Sequence, residues 1–402
     1  MITTAEATQA ISAALPTFAT ESVPLARATG RVLQQAVLAE RDQPPFDRVT
    51  MDGVALQYDS LASGNRRFAI QGTQHAGDPV QTLTSADNAI EIMTGAVLPA
   101  KSDCVIPVER IDVQDGIATI EDDYKAERLQ FVHPQGSDFP AGHEVLSCGR
   151  MMTPMDIAII ASCGLENVQA SSQPIVCIIS TGNELVPPGK PVEPHQVRLS
   201  NGPALVAMLQ QQGFEQTADE HLVDEPALLR ERLAEILDEA SVLILSGGVS
   251  MGKADYVPQV LEELGVEMVF HKISQRPGKP MWFGIGPEKQ AVFALPGNPV
   301  SSLVCCRQYV LPALLQASGR ERPRAVTAVL AEDVTFNPKL TCFLPVRTES
   351  ADDGRVVATP VPTNTSGDFA SLSGTDGYVE LALERNEFPA GSAVPLHRWI
   401  NP

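Results

Sequence analysis

The sequence predicts a multidomain α/β protein whose central domain is built on a parallel β-sheet. Three observations support this. The chain has 402 residues, more than a single domain usually contains. Between residues 174 and 318, continuous apolar runs alternate with helical patterns, as in buried parallel strands joined by helices. Short or alternating apolar runs fill residues 46–140 and the part beyond 319, which predicts a small β-rich domain before the sheet and a β-barrel-like domain after it.

The first 45 residues are predicted to form a helix followed by a short extended segment. Thr4 is the expected N-cap, because apolar residues follow it at helical spacing. The proline-containing segment 43–47 marks a boundary with the small β-rich domain. A second helix is predicted over Met155–Cys163, with Gly164 ending it.

The central section provides most of the predicted regular structure. Its expected strands are Ile175–Ile179, Val242–Leu245, Val266–Phe270 and Ala291–Leu295. Its expected helices begin near Pro203 (capped by Ser200 or Asn201 and stopped by Gly213), at Pro226, at Tyr256 and at Pro299, the last running to Ser318. The predicted domains are 1–45 with 141–173, 46–140, 174–318 and 319–402.

Charge and cysteine usage exclude several classes of protein. A formal net charge of -20 disfavours binding to nucleic acid or to anionic membranes, both of which need a basic surface. The seven cysteines form no CxxC pair, so buried reduced thiols are expected instead of disulfides or structural zinc. There is no signal-peptide pattern at the first residues and no run of about 18 apolar residues, so a cytoplasmic protein without membrane spans is expected.

Three loops rich in glycine and serine follow strands of the predicted sheet. They are Ser180-Thr181-Gly182-Asn183-Glu184, then Ser246-Gly247-Gly248-Val249-Ser250 with its continuation to Asp255, and Pro296-Gly297-Asn298-Pro299. Because ligands bind outside the carboxyl ends of parallel strands, these loops predict a shared binding edge. Glycine lets backbone N–H groups approach a phosphate or another oxyanion closely. The alternative for any one loop alone is an ordinary β-to-α turn.

A basic segment follows the third predicted strand. Lys272, Arg276 and Lys279 lie within eight positions on a proline-containing loop. In a chain with a net charge of -20, this local reversal of sign indicates a pocket for phosphate or another oxyanion. The alternative is a solvated basic turn.

Carboxylates lie beside these loops and also in the N-terminal part. Glu184, Asp224 and Asp255 are near the glycine loops, whereas Asp52 and Asp138 lie in Met51-Asp52-Gly53 and Gly136-Ser137-Asp138. A lone acid next to glycine is often a turn or cap residue. Together with phosphate-binding loops, however, these acids fit a Mg²⁺ site, because Mg²⁺ prefers one or two carboxylates plus substrate phosphates.

These motifs together resemble a known family. The segment Phe46–Ala55 is similar to its N-terminal signature, and Met93-Thr94-Gly95-Ala96, Gly136-Ser137-Asp138, the three glycine loops and Arg276-Pro277-Gly278-Lys279-Pro280 follow in the expected order. By these motifs the chain is identified as a member of the molybdopterin molybdenumtransferase family, which includes the E-domain of gephyrin. Asn183 stands where that family often has Asp, and Leu199 where an acid is usual.

The resemblance implies an activity and an assembly. The expected reaction inserts molybdenum from molybdate into adenylylated molybdopterin with Mg²⁺, giving molybdenum cofactor and AMP. The expected assembly is a homodimer of four-domain subunits, in which residues 1–45 and 141–173 form a linker and dimerisation domain. The cleft is expected between the α/β molybdopterin-binding domain of one subunit and the small β domain of the other. Other enzymes of cofactor biosynthesis are further candidate partners.

The resemblance also assigns roles to particular residues. The expected catalytic acids are Asp52, Asp138, Glu184, Asp224 and Asp255, of which Glu184, Asp224 and Asp255 are the expected metal ligands. The expected substrate-binding residues are Thr94, Thr181, Gly182, Ser246, Gly247, Gly248, Ser250, Lys272, Arg276, Lys279, Pro296, Gly297, Asn298 and Ser366.

Three alternatives remain open at the level of sequence. A molybdopterin adenylyltransferase has a related α/β domain, although the flanking domains of this chain argue against it. A paralogue that prefers tungstate would look the same, because the two oxyanions are nearly alike in size and charge. A non-catalytic scaffold is disfavoured by the retention of five acids and three cations.

Overall fold

The computed structural model describes residues 1–248, 256–320, 325–363 and 365–400. It divides into two compact units, one formed by Met1–Gln34, Cys148–Thr153 and Asn167–Pro402, the other by Gln35–Ser147 and Pro154–Glu166. The first is called the sheet unit below and the second the small unit. The finer division into four domains stays a prediction.

Apart from the short helix α2, which was not predicted, the helices agree closely with the predicted ones. They are α1 Thr4–Ala14, α2 Tyr58–Ala62, α3 Pro154–Ser162, α4 Asn201–Gln210, α5 Pro226–Glu239, α6 Val257–Glu263, α7 Pro299–Cys305 and α8 Leu311–Ala317. The cap of α1 is Thr3, one residue before the predicted Thr4. Thr3 is favoured because Glu6 lies three residues on: the Thr3 hydroxyl accepts from the Glu6 amide, and the Glu6 carboxylate accepts from the Thr3 amide.

The first strands are β1 Thr20–Pro24, β2 Val37–Leu38, β3 Arg48–Val49, β4 Gly53–Leu56, β5 Arg67–Gln74, β6 Asn88–Ile92, β7 Cys104–Pro107, β8 Ile111–Gln114, β9 Ile117–Ile120, β10 Val132–His133 and β11 Glu144–Leu146. Within the small unit, six of them form a sheet in the order β7-β4-β6-β5-β9-β8. Successive residues of β4 face opposite sides, so Val54 and Leu56 pack in one core and Ala55 in another. Gly53 is required in β4, because a Cβ there would collide with the carbonyl oxygen of Ile106.

The central strands are β12 Asn167–Ser171, β13 Val176–Thr181, β14 Leu185–Val186, β15 Val197–Arg198, β16 Thr217–Leu222, β17 Val242–Ser246, β18 Glu267–His271, β19 Gln275–Arg276, β20 Trp282–Ile285 and β21 Ala291–Leu295. Six of them form one sheet in the order β16-β13-β17-β21-β20-β18. Two apolar cores cover its faces, one including α1 and α4, the other α5 and α6.

This central sheet is mixed instead of wholly parallel. Strands β16, β13, β17 and β21 run parallel, whereas β20 is antiparallel to both of its neighbours. Only a short connection, residues 286–290, joins β20 to β21, and a parallel pairing would need a crossover of a dozen or more residues. Sequence reasoning missed β16 and β20, since β16 is an edge strand that carries Asp219, Glu220 and His221, and β20 contains Gly284.

The helix predicted over Pro299–Ser318 is present but not uniform. A π-helical turn, Cys306–Val310, separates α7 from α8. Pro312 lies in the first turn of α8 and has no N–H to donate to the preceding turn, which gives a local reason for the irregularity.

The last strands are β22 Val326–Leu330, β23 Val334–Thr335, β24 Thr341–Ser350, β25 Val356–Pro360, β26 Gly377–Leu381, β27 Glu387–Phe388 and β28 Ala393–Arg398. Strands β24-β25-β22-β28-β26 close on themselves, because β24 also pairs with β26. This five-stranded barrel confirms the predicted C-terminal β domain, and β19 joins it as a parallel neighbour of β24.

All seven cysteines are free thiols, as predicted, although Cys148 is exposed and Cys177 is only partly buried. Burial raises the pKa of Cys177 to about 11 and that of Cys104 to about 12, so these thiols stay neutral near pH 7. Within the described ranges, no helix is long and apolar enough to cross a membrane.

Candidate functional site

The three glycine loops meet at the carboxyl edge of the central sheet, around buried Thr181. A Cβ added to Gly247 would lie 2.8 Å from the Thr181 carbonyl oxygen and 2.9 Å from its hydroxyl, and one on Gly297 would lie 3.4 Å from the Gly247 Cα. Gly247 and Gly248 have φ angles of 105° and 67°, which L side chains rarely adopt. The loops after β13, β17 and β21 are therefore in direct contact, as the sequence predicted.

Asn201 connects two of these loops through its side chain. It is the first residue of α4, and its Nδ2 donates to Ser246 Oγ at 2.8 Å and to the carbonyl oxygen of Gly297 at 2.8 Å. Ser246 Oγ also lies 3.4 Å from Ser302 Oγ in α7. The sequence indicated Asn201 only as a possible helix cap, because its partners are 45 and 96 residues away along the chain.

Several polar groups at this edge have no partner in the described part of the chain. The buried hydroxyls of Ser180 and Thr181 make no hydrogen bond there. The backbone amides of Gly248, Gly297 and Asn298 also donate to no described residue, although Gly297 and Asn298 are exposed to solvent. A buried polar group without a partner costs about 1–3 kcal/mol. Such groups are expected where a ligand provides the missing acceptors or donors.

The C-terminal part of the chain contributes to the same edge. Asn298 Nδ2 donates to Ser366 Oγ at 2.8 Å, and the amide of Val300 donates to the carbonyl oxygen of Ser366 at 3.1 Å. Pro296 is buried and continues β21 into this loop. Ser366, indicated only by family resemblance, is thus fastened to the loop that contains Gly297 and Asn298.

The basic loop follows β18, which runs parallel to β21, so it lies at the same sheet edge. Backbone hydrogen bonds close it: the Lys272 amide donates to Met281 O and the Ile273 amide to Lys279 O, both at 2.9 Å. The side chains of Lys272, Arg276 and Lys279 make no ion pair or hydrogen bond with any described residue.

Arg232 of α5 differs from these three cations in its side-chain partners. It pairs with Glu220 and Glu235, and its hydrogen bond to Glu220 is the first cause of its raised pKa. The cations of the basic loop therefore remain available for an external anion, although they do not contact the glycine loops directly within the described residues.

Of the predicted acids in the sheet unit, Glu184 and Asp224 lie on adjoining segments at this edge. Asn183 Oδ1 accepts from the Asp224 amide at 3.1 Å, and His221 Nε2 lies 2.8 Å from the carbonyl oxygen of Gly182. Glu184 is exposed, with its carboxylate folded back towards Gly182. Asn183, which departs from the usual family residue, thus holds the segment that contains Asp224 against the loop that contains Glu184.

This donor set fits Mg²⁺ only with help from a ligand. No group of three or more His, Cys, Asp or Glu side chains is arranged for a metal in the ranges that the structure describes. Mg²⁺ keeps several waters and typically takes one or two carboxylates plus substrate phosphates. Glu184 and Asp224 are carboxylates of the kind that this smaller requirement needs, and their role as metal ligands stays a prediction. The predicted Asp255 and Ser250 lie outside the described residues.

The small unit organises its predicted acids through local hydrogen bonds. Asp52 Oδ1 accepts from the Thr94 amide at 2.6 Å and from the Thr94 hydroxyl at 2.7 Å. The hydroxyl bond is the larger cause, and the amide bond the second, of a pKa of Asp52 that is lower than usual. Thr94 therefore orients Asp52 and favours its ionised form.

Asp138 is held by a histidine that sequence reasoning missed. His133 Nε2 lies 3.0 Å from Asp138 Oδ1, and Arg48 Nη2 lies 3.2 Å from His133 Nδ1. Since Arg48 can only donate, His133 Nδ1 accepts, and the ring proton is on Nε2, facing Asp138. The pairing of β3 with β10 brings Arg48 opposite His133, 85 residues apart.

Comparison with known proteins decides the family. Three family models match in chain order: "MoeA N-terminal region (domain I and II)" at 2–164, "Probable molybdopterin binding domain" at 177–316 and "MoeA C-terminal region (domain IV)" at 327–399. A molybdopterin molybdenumtransferase of Synechocystis sp. is 38% identical over 99% of this chain and 100% of its own. The chain belongs to the molybdopterin molybdenumtransferase family.

Other members agree with this assignment over nearly the whole chain. The molybdopterin molybdenumtransferase of Synechococcus elongatus is 34% identical over 94% of each chain. The crystal structure of a molybdopterin biosynthesis moeA protein from Pyrococcus horikosii has a TM-score of 0.84 at 29% identity, with 100% of both chains covered. The resemblance drawn from the motifs is thus confirmed, as is the α/β multidomain fold. The chain is an enzyme of molybdenum cofactor biosynthesis.

Proposed function

We propose that this family member transfers molybdenum from molybdate into adenylylated molybdopterin and releases AMP. The observation that supports it best is the convergence of three glycine loops around Thr181, with unpartnered hydroxyls and amides beside them. Two anionic substrates need such a set of donors, because they repel each other and must be held in one orientation for reaction.

Each group has a defined task in this proposal. The amides of Gly248, Gly297 and Asn298 and the hydroxyl of Thr181 donate to the phosphates or the pterin. The side chains of Lys272, Arg276 and Lys279 hold oxyanions electrostatically. Ser246, Gly247 and Pro296 form the base of the binding site. The hydrogen bond between Asn298 and Ser366 fixes one of its sides.

Glu184, Asp224 and Asp255 would hold Mg²⁺ together with substrate phosphates. When bound, Mg²⁺ would neutralise charge on the phosphoanhydride and polarise it for hydrolysis. The negative charge of these three carboxylates would also repel an anionic substrate that entered the metal site without Mg²⁺. Cys177, Cys305 and Cys342 have no role in this proposal, because burial raises the pKa of each thiol and keeps it protonated.

We also propose that the working enzyme is a homodimer. Asp52, Thr94 and Asp138 belong to the small unit, and the family resemblance implies that they complete the cleft of a second copy. Sedimentation that finds only monomers at assay concentrations, with full activity, would contradict this assembly.

The decisive experiment compares Arg276→Ala with Arg355→Ala in assembly of cofactor from adenylylated molybdopterin and molybdate. Both variants remove one exposed positive charge, but Arg355 is paired with Asp353 in the barrel. Loss of a charged donor to the substrate should raise the KM for molybdate at least about tenfold in Arg276→Ala only. An unchanged KM would reject the oxyanion role of the basic loop.

The same assay separates the remaining alternatives. Adenylylation of molybdopterin with ATP and Mg²⁺, in the absence of molybdate, would indicate an adenylyltransferase. A lower KM for tungstate than for molybdate would indicate the tungstate paralogue. Absence of AMP release and of cofactor formation, with intact ligand binding, would indicate a scaffold.

A further inference from the structure

The residue before Arg276 is a glutamine with no exposed surface, an unusual side chain to bury completely. Gln275 Nε2 donates to the carbonyl oxygen of Pro277 at 3.0 Å and contacts Cys305 Sγ at 3.5 Å. Its Oε1 accepts from the hydroxyl of Tyr309. The amide therefore joins residues 275 and 277 of the basic loop and ties them to α7 and to the π-helical turn Cys306–Val310.

The backbone around Gln275 is fixed as well. Gln275 and Arg276 pair with Thr341 and Cys342 of the barrel. Gly278 packs directly on Cys305: an added Cβ would collide with the thiol and lie 2.6 Å from Gln275 Nε2. The basic loop around Gln275 is thus held between α7 and the barrel.

Stability alone does not explain an amide at this position. A buried polar group contributes little net stability even when it is hydrogen-bonded, and an apolar side chain of the same size would fill the volume. The bond to Pro277 has a directional effect instead, because Pro277 follows Arg276 and its carbonyl group fixes the peptide plane beyond the exposed guanidinium.

The π-helical turn also indicates that Gln275 has a directional role. Tyr309 is buried within the π-helical turn Cys306–Val310, and that turn places its hydroxyl on Gln275. Turns of this kind are often found at functional sites. Burial also raises the pKa of Tyr309 and of Cys305, so both side chains stay protonated in their contacts with Gln275.

We propose that Gln275 is a positioning residue that orients Arg276 and Lys279 for oxyanion binding. The inference rests on the proposed function, because it takes the basic loop as the oxyanion site. Gln275 itself touches no substrate. It acts by fixing the loop between the two cations, as residues behind a ligand-binding group commonly do.

The test compares Gln275→Leu with Gln290→Leu in the full-length enzyme. Gln290 is also buried and makes two hydrogen bonds, to the carbonyl oxygen of Leu237 and from the amide of Glu288, but it precedes β21 at the opposite sheet edge. Gln275→Leu should raise the KM for molybdate about tenfold, with kcat changed much less. Hydrogen exchange of residues 272–281 should also become faster. Gln290→Leu should change neither quantity.

Two outcomes would overturn the inference. One is a folded Gln275→Leu enzyme with the wild-type KM for molybdate, and the other is an equal change of KM in both variants. If Gln275→Leu does not fold, Tyr309→Phe decides the matter: a several-fold rise in KM supports the inference and an unchanged KM rejects it.

Arg276→Ala, measured in the same series, separates this inference from the proposed function. If Arg276→Ala leaves the KM for molybdate unchanged, the loop is not the oxyanion site and the proposed function fails. If Arg276→Ala raises the KM and Gln275→Leu does not, only the positioning role is wrong.

Discussion

The sheet unit and the small unit hold their candidate site residues in different ways. At the edge of the central sheet, backbone segments distant in sequence touch each other, and glycines with no room for a Cβ form the contact. In the small unit, Asp52 and Asp138 are exposed side chains on the surface, each oriented by one neighbouring side chain. The first arrangement is built into the packing, whereas the second depends on a few hydrogen bonds.

This difference predicts which variants lose stability together with activity and which lose activity alone. Substitutions at the sheet edge should displace the backbone of several loops that contact one another, so activity and stability should fall together. Changes beside Asp52 should alter ionisation and orientation but leave folding nearly intact, because surface substitutions usually change stability little.

The largest effect is expected for Gly247→Ala. Its φ of 105° is unfavourable for alanine, and the new Cβ would press on the carbonyl oxygen of Thr181. Cofactor formation should fall about a hundredfold, as expected when reacting groups are misplaced by about an ångström. Gly391→Ala is the control, since it has a φ of 81° but nothing within 4 Å of its Cβ. Equal activity in the two variants would contradict the proposed contact.

An intermediate effect is expected for Asn201→Ala. The loss of its bonds to Ser246 and Gly297 should lower the free energy of unfolding by about 1–3 kcal/mol. Cofactor formation should fall about tenfold, because two substrate loops lose their connection. Asn88→Ala removes a comparable amide with two hydrogen bonds from the small unit, to Gln71 and Thr84. If the rate of cofactor formation falls no further in Asn201→Ala than in Asn88→Ala, the link that Asn201 makes between the two loops has only a structural role.

The smallest effect is expected for Thr94→Val, and it should appear in the pH profile. The Thr94 hydroxyl lowers the pKa of Asp52, so its removal should raise that pKa towards the ordinary value, while the amide bond persists. The stabilisation of a carboxylate with a lowered pKa is present above its unfolded pKa and is lost as pH falls through the folded pKa.

The acid limb of the activity profile should therefore move to higher pH in Thr94→Val. Rate against pH for cofactor formation measures this shift. Thr73→Val is the matched control, because Thr73 also donates to a carboxylate in the small unit, that of Glu91. A shift of the same size in both variants would mean that Asp52 is not the group that controls the acid limb.

Local sequence patterns predicted much of the regular structure, because helices, buried strands and turns are favoured by residues that are close together in the sequence. The strand Ala291–Leu295 was predicted residue for residue, since an apolar run bounded by turn residues is typical of a buried strand. The glycine loops were predicted for a similar reason. Trp282–Ile285 was missed, because its antiparallel partner is fixed by a short connection and by sheet order, which a local pattern does not contain.

The sequence by itself determined the family, the order of the motifs and the cation-bearing loop, because these depend on residue identity and spacing along the chain. Only the tertiary structure decided that Asn201 joins two glycine loops, that His133 orients Asp138 and that Gln275 braces the loop with Arg276. The physical reason is that a polar side chain is satisfied by whatever group the fold brings within hydrogen-bond distance, and sheet pairing can bring that group from almost a hundred residues away.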